Sequence, residues 1–175
     1  MKKVILSCLL LISATASLAL AESVSVPGTN ISFTPPAGFT ALTQEELDLK
    51  FPNKNGPKFA CGNERRTTTV AYDVRAVAIT ADALRDGLEP IGESMARVIP
   101  GAVWVGKRIE RLAGVDWAYF ELTSNALDAD IHNIILMGPW EGKLVVFNFN
   151  ATKADFELLE AALRASIKSI TIDKA

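Results

Sequence analysis

Cysteine and histidine are almost missing from this chain: of 175 residues, two are cysteine and one is histidine. Cys8 falls in a segment read below as a leader, so Cys61 is the single thiol of the remaining domain. No internal disulfide can form, and stability has to come from packing. His132 is the only imidazole available to a Ser-His-Asp or Cys-His arrangement, and no Gly-x-Ser-x-Gly turn occurs. Basic residues are not in excess either: 18 Lys and Arg stand against 20 Asp and Glu. That balance argues against a nucleic-acid partner, which calls for a basic patch or stripe. Runs of like charge, internal repeats and low-complexity stretches are absent. So is any apolar run of the 18 or more residues that a membrane span needs. No cofactor motif is present, and no cofactor is expected.

What the chain does have begins with a leader pattern. Lys2 and Lys3 precede the apolar run 4–12, and Ala19-Leu20-Ala21 offers the small-x-small site, so residues 1–21 read as a signal peptide cleaved after Ala21. A rival cut lies after Ala16. Ile5-Leu6-Ser7-Cys8 has the outline of a lipidation box, but too few apolar residues precede Cys8, which reads as an ordinary leader residue. Without Lys2 and Lys3 the remainder carries 16 basic and 20 acidic side chains, a net charge of −4. Residues 22–175 amount to one domain's worth of chain.

Along that domain, Ile31-Ser32-Phe33 alternates as a short strand and Pro35-Pro36-Ala37-Gly38 ends it. Thr43 and Glu46 form a capping box for a short helix that Pro52 stops; the box and the helix dipole also account for the acidic pair Glu45 and Glu46. Residues 52–66, rich in Pro, Gly and Asn, read as a loop and as the best candidate for a partner-contacting segment. Alternation predicts a strand over 67–76. Leu84, Leu88, Ile91, Met95 and Val98 then recur at helical spacing, with a kink or a division expected at Pro90, between Gly87 and Gly92.

The last third organises the rest. Strands are predicted over 103–112, 115–123, 129–137 and 143–150, with turns at Ala113-Gly114 and over 138–142. Short connections make them an antiparallel meander. Val145, Val146 and Phe147 put apolar groups on both faces, which predicts that the final strand is covered on both sides. Thr152 caps a closing helix whose Phe156, Leu159, Leu163, Ile167 and Ile170 form one stripe to lie on the sheet.

Pro36-Ala37-Gly38-Phe39 after a short strand, and Ile167-Lys168-Ser169-Ile170 at the end of the last helix, resemble recurring marks of the PsbP/DcrB-like superfamily. The resemblance implies an α+β fold, an antiparallel sheet between helical layers in an α/β/α sandwich. It also implies mostly non-catalytic roles, among them photosystem accessory subunits, envelope proteins and chaperones for secreted toxins. It carries over no catalytic residue.

Candidate chemistry is sparse. Asp128, Asp130 and His132, two apart on a strand, would line one face and are acceptable metal ligands, although neighbours about 7 Å apart along a strand converge only with help from elsewhere. Cys61 with His132 is a conceivable nucleophile and base, against the plainer reading of a small buried thiol. Trp104, Trp117 and Trp140 are core or turn anchors by default. Trp140, in the 138–142 turn, is the one expected to stay available, and together with Phe59, Arg65 and Arg66 of the irregular loop it makes up the candidate partner-binding set. The composition and leader favour an exported, periplasmic, non-catalytic protein that binds another protein, as an envelope accessory or an immunity-type protein that neutralises a toxin. The alternatives are a metal-dependent or hydrolytic enzyme using Asp130 and His132, and a small-ligand carrier. Oligomeric state leaves no mark.

Overall fold

A computed structural model of the chain describes residues 22–52, 55–126 and 129–173; the leader and Asp128 lie outside them. Two short strands, β1 (Val24–Ser25) and β2 (Ile31–Phe33), pair antiparallel. After Gly38, at φ 79°, β3 (Thr40–Ala41) leads into helix α1 (Gln44–Lys50). The capping box forms as expected: the Glu46 N–H donates to Thr43 Oγ1 at 3.2 Å, and the Thr43 N–H donates to Glu46 Oε2 at 2.8 Å.

The expected loop over 52–66 contains a strand, β4 (Phe59–Gly62), paired with β5 (Thr68–Arg75). Its four residues show no alternation and sit among Pro, Gly and Asn, so only the partner strand makes it one. The helix expected to be kinked or divided is divided, into α2 (Ala81–Asp86) and α3 (Leu88–Val98). The break falls at Gly87 rather than at Pro90. Pro90 occupies the first turn of α3, where its missing N–H sacrifices no helical bond.

The meander follows as β6 (Val103–Leu112), β7 (Val115–Asn125), β8 (Asp130–Trp140) and β9 (Lys143–Thr152). The turn expected over 138–142 narrows to Glu141-Gly142, both at positive φ as a two-residue hairpin requires. Gly138 and Pro139 belong to the β8–β9 ladder. Gly138 cannot carry a side chain, because an added Cβ would lie 2.4 Å from the Trp117 ring. Helix α4 (Lys153–Lys168) starts from Thr152, whose Oγ1 accepts the Asp155 N–H at 3.2 Å. The chain then adds β10 (Thr171–Ile172), which sequence periodicity did not predict, antiparallel to β2.

These strands make a seven-stranded antiparallel sheet in the order β3-β4-β5-β9-β8-β7-β6 and a three-stranded sheet, β1-β2-β10. One face of the large sheet presents Val70, Phe147, Phe149, Ile134, Leu136 and Trp117, packed against Phe156, Leu163 and Ile167 of α4 and Ile31 and Phe33 of β2. Fully burying each such side chain is worth about 1.5–3 kcal/mol, so α4 and β2 hold much of the domain's stability. The other face is covered only at its two ends. There Leu84 of α2 and the α3 stripe lie over Ala118, Phe120 and Leu122, and Leu47 of α1 lies over Ala60 and Ala71. The α+β architecture with helices on both faces of an antiparallel sheet is therefore the one expected. Strand β9 departs from expectation: Val145, Phe147 and Phe149 are buried, but Val146, at the margin of the Leu84–Phe120 cluster, and Asn148 are half-buried. No described helix is long and apolar enough to cross a membrane.

Candidate functional site

Strand β8 places Asp130 and His132 on one face, as the two-residue spacing requires, and gives each a different partner. Asp130 is exposed and accepts from Lys153 Nζ at 3.0 Å. His132 turns under α4, its ring stacked on Phe156 at 3.5 Å and 8°. Its Nε2 lies 2.8 Å from Glu121 Oε1. Among the described residues no group of three His, Cys, Asp or Glu is arranged to hold a metal ion.

Glu121 is the centre of what the sequence did not reveal. It is 4% exposed, and Arg164 of α4 donates from Nη2 to Oε1 at 2.8 Å while the Tyr119 hydroxyl donates to Oε2 at 2.7 Å. The Arg108 guanidinium lies 3.5 Å over the Tyr119 ring. Burial pushes the Glu121 carboxyl up, but the bonds from His132, Arg164 and Tyr119 outweigh it and hold it down at about 2. Burial, and then the Glu121 carboxylate, push the Tyr119 phenol up. Each Glu121 oxygen is engaged by charged or polar donors, so the cluster tethers α4 to the sheet. The one sequence signal for it is register: Glu121 follows Trp117 and Tyr119 at intervals of two, an acid in a row of aromatics.

The other expected residues are dispersed. Cys61 lies in the core, and burial raises its thiol to about 12, so it stays protonated at neutral pH. Phe59 stacks on Tyr72 at 5.8 Å. Arg66, at φ 56°, donates to Glu46 Oε1 at 2.9 Å, to the Gly62 carbonyl at 2.9 Å and to Thr40 Oγ1 at 3.0 Å, which makes it the pin of the β3–β4 corner. The Arg65 side chain is 73% exposed and pairs with Asp155 at 3.2 Å. Trp140 is half-buried, and its Nε1 donates to Asn30 Oδ1 at 2.6 Å. The structure does not bring these four into one patch. Arg75 pairs with Leu144 beside the Trp140 hairpin, and β5, which begins two residues after Arg66, spans about 23 Å from Thr68 to Arg75.

The open strip above β5, β9 and β8 is the second candidate. A cavity of about 240 Å³ lies there, walled by Phe51, Pro57, Ile135, Met137 and Val146, with Asp73 and Asn148 at its floor. Asp73 is 3% exposed; its Oδ1 accepts the Val74 N–H at 2.8 Å. Arg75 Nε lies 3.2 Å from Oδ2 without the alignment of a hydrogen bond, and Lys58 Nζ stands 4.0 Å from Oδ1. Asn148 Oδ1 is shut off from solvent and has no hydrogen-bond partner among the described residues, as is Thr69 Oγ1. Beside them Asn150 donates to Asn133 at 2.8 Å, and Asn133 to Ser124 at 3.0 Å.

No protein-family model matches the chain, and no curated protein does. Solved structures do. The cyanobacterial PsbP (CyanoP) of Synechocystis sp. PCC 6803 superposes with a TM-score of 0.61 at 11% identity, covering 93% of this chain and 99% of that one. The chain has a PsbP-like fold. LpqN of Mycobacterium tuberculosis, described as involved in cell envelope biogenesis, gives 0.58 at 13% identity over 82% of this chain and 83% of its own. PA94 of Pseudomonas aeruginosa, a protein of unknown function, gives 0.52 at 11% identity over 88% and 98%.

Within this PsbP-like fold the two candidates differ in what they can do. The Glu121 cluster has its charges matched internally beneath α4. The Asp73–Asn148 strip has a largely apolar cavity of about 240 Å³ left uncovered by the helices, the kind of concave surface that ligands and partners use.

Proposed function

We propose that this is an exported, non-catalytic accessory protein of the bacterial envelope that acts by binding another macromolecule, and that the open face of the large sheet is its contact surface. The observation that carries the reading is the strip between α1 and α2–α3, where buried acceptors of Asn148 and Asp73 line a cavity in a sheet otherwise covered by its own helices. Export rests on the leader pattern of residues 1–21 with cleavage after Ala21. The likeness to LpqN favours an envelope role over a toxin-neutralising one.

The test is site-specific photocrosslinking in cells. A photoreactive residue at Met137, on the strip, is expected to trap a defined macromolecule in the periplasmic fraction. The same group at Leu158, 82% exposed on α4, is expected to trap none. Equal yields at the two positions, or a protein retained in the cytoplasm with its leader intact, would overturn the proposal.

A further inference from the structure

We infer that strand β6 is a self-pairing edge: two copies of this protein join β6 to β6 antiparallel, centred on Ile109, and continue the large sheet from one copy into the other. The inference does not depend on the open face being a contact surface. It rests on how unlike the two ends of the sheet are and on the order of charges along β6.

The sheet ends in β3 on one side and in β6 on the other. β3 has two residues, too few to act as a template, whereas β6 has ten, contains no proline and has no strand beyond it among the described residues. A register shift between Trp104 and Gly106 sets Val105 out as a bulge, and Val103 and Val105 are exposed there. From Gly106 to Leu112 the ladder to β7 is regular. Every second residue of that run directs its N–H and C=O away from β7, as a further antiparallel strand requires.

Charge decides what can pair there. Arg108 and Glu110 stand opposite Tyr119 and Trp117, on the face towards α4, while Lys107, Ile109 and Arg111 lie on the face towards α3. Directly opposed residues share a face, so two copies related by a two-fold axis through the sheet pair about a residue as centre. Centring on Lys107, Arg108, Glu110 or Arg111 sets like charges against each other. Centring on Ile109 sets Arg108 of each copy against Glu110 of the other, and an isoleucine against its twin. Within one chain Arg108 Nε already donates to Glu110 Oε2 at 2.7 Å, so the pairing closes a box of four alternating charges. Lys107 then opposes Arg111, but each keeps its own carboxylate, Glu89 for Lys107 and Asp116 for Arg111. Charges that merely guard an edge repel a copy in every register; these repel it in the neighbouring registers and attract it in this one. An edge contact of this kind is small, so the dimer is a reversible one.

The test is sedimentation velocity of the purified mature protein from about 1 µM to about 1 mM, where a monomer is expected to give way reversibly to a dimer. R108E and E110R, each alone, are expected to weaken self-association about tenfold, because each places like charges across the axis. Mixed in equal amounts they are expected to dimerise again, since the two acids of one variant face the two bases of the other. A merely structural role for Arg108 and Glu110 gives no such rescue. Register is read from disulfide formation in a glutathione redox buffer. I109C is expected to link two copies, while V103C, exposed on the same strand but about 40 Å from its counterpart in this register, is expected not to. Cys61, buried and with its thiol raised to about 12, stays out of the exchange. A protein still monomeric at the highest concentration, a dimer that R108E and E110R leave unchanged, a mixture no better than its parts, or equal linking at the two cysteine positions would each overturn the inference.

Discussion

The two faces of the seven-stranded sheet are made by the same strands and treat polar groups in opposite ways. On the face beneath α4, Glu121 has His132, Arg164 and Tyr119 around it. On the face between α1 and α2–α3, Asn148 Oδ1 has no partner among the described residues, and Asp73 has one well-formed bond, from the Val74 N–H, and an ion pair with Arg75 out of hydrogen-bond alignment. Trp117 Nε1 and Ser166 Oγ, on the covered side, are likewise without a partner among the described residues, but they lie within the core, whereas Asn148 and Asp73 belong to the lining of a cavity. A charge that the fold matches for itself holds the fold together. A buried amide oxygen without such partners, beside a cavity, adds nothing of that kind.

The contrast can be broken most forcefully at Glu121. Replacing it with Ala leaves Arg164 and His132 facing an empty site, and a loss of about 3–5 kcal/mol is expected in urea unfolding, with the midpoint lowered. A loss below about 1 kcal/mol would mean the cluster does not tether α4. Gly138→Ala tests the packing of the same face: the new methyl meets the Trp117 ring, and overpacking of this kind costs about 3 kcal/mol, read as a lower Tm.

Acid probes the cluster without mutation. The Glu121 carboxyl is held at about 2, below its usual value in the unfolded chain, so its contribution is fully present above pH ~4.5 and is lost as pH falls from there towards 2. The full shift corresponds to about 3 kcal/mol. Stability measured across that window is expected to fall in the native protein and to fall less in E121Q. The smallest effect is expected on the other face. N148L removes an acceptor that has no partner among the described residues and adds apolar contact, so stability should be unchanged or rise by up to about 1 kcal/mol in the same assay. A clear destabilisation would mean that Asn148 serves the fold.

Much of the covered face was legible from local pattern. The strand alternation over 103–112 and 115–123, the Thr43 and Thr152 caps and the Leu163–Ile167 stripe each have causes contained within a few residues. Strand β4 was not legible, because four residues without alternation become a strand only when β5 supplies the pairing. The helix break was misplaced because Pro90 is the stronger breaker in the abstract, yet a first-turn proline is harmless and Gly87 ends the preceding helix. The Glu121 cluster joins residues 43 apart in sequence and leaves no periodic trace. The open strip was hidden for a different reason: Val146 and Phe147 look equally apolar, and nothing local reveals that a helix arrives over one and not the other.

The pairing of β2 with β10 has a bearing on when this protein can fold. Ser32 faces Thr171 across a separation of 139 residues, so the small sheet that caps Phe33 closes only when two distant segments meet. The hairpins of the large sheet join neighbouring segments, whereas this closure carries the loop entropy of 139 residues, so the small sheet is expected to form after the meander and to be the first layer to open.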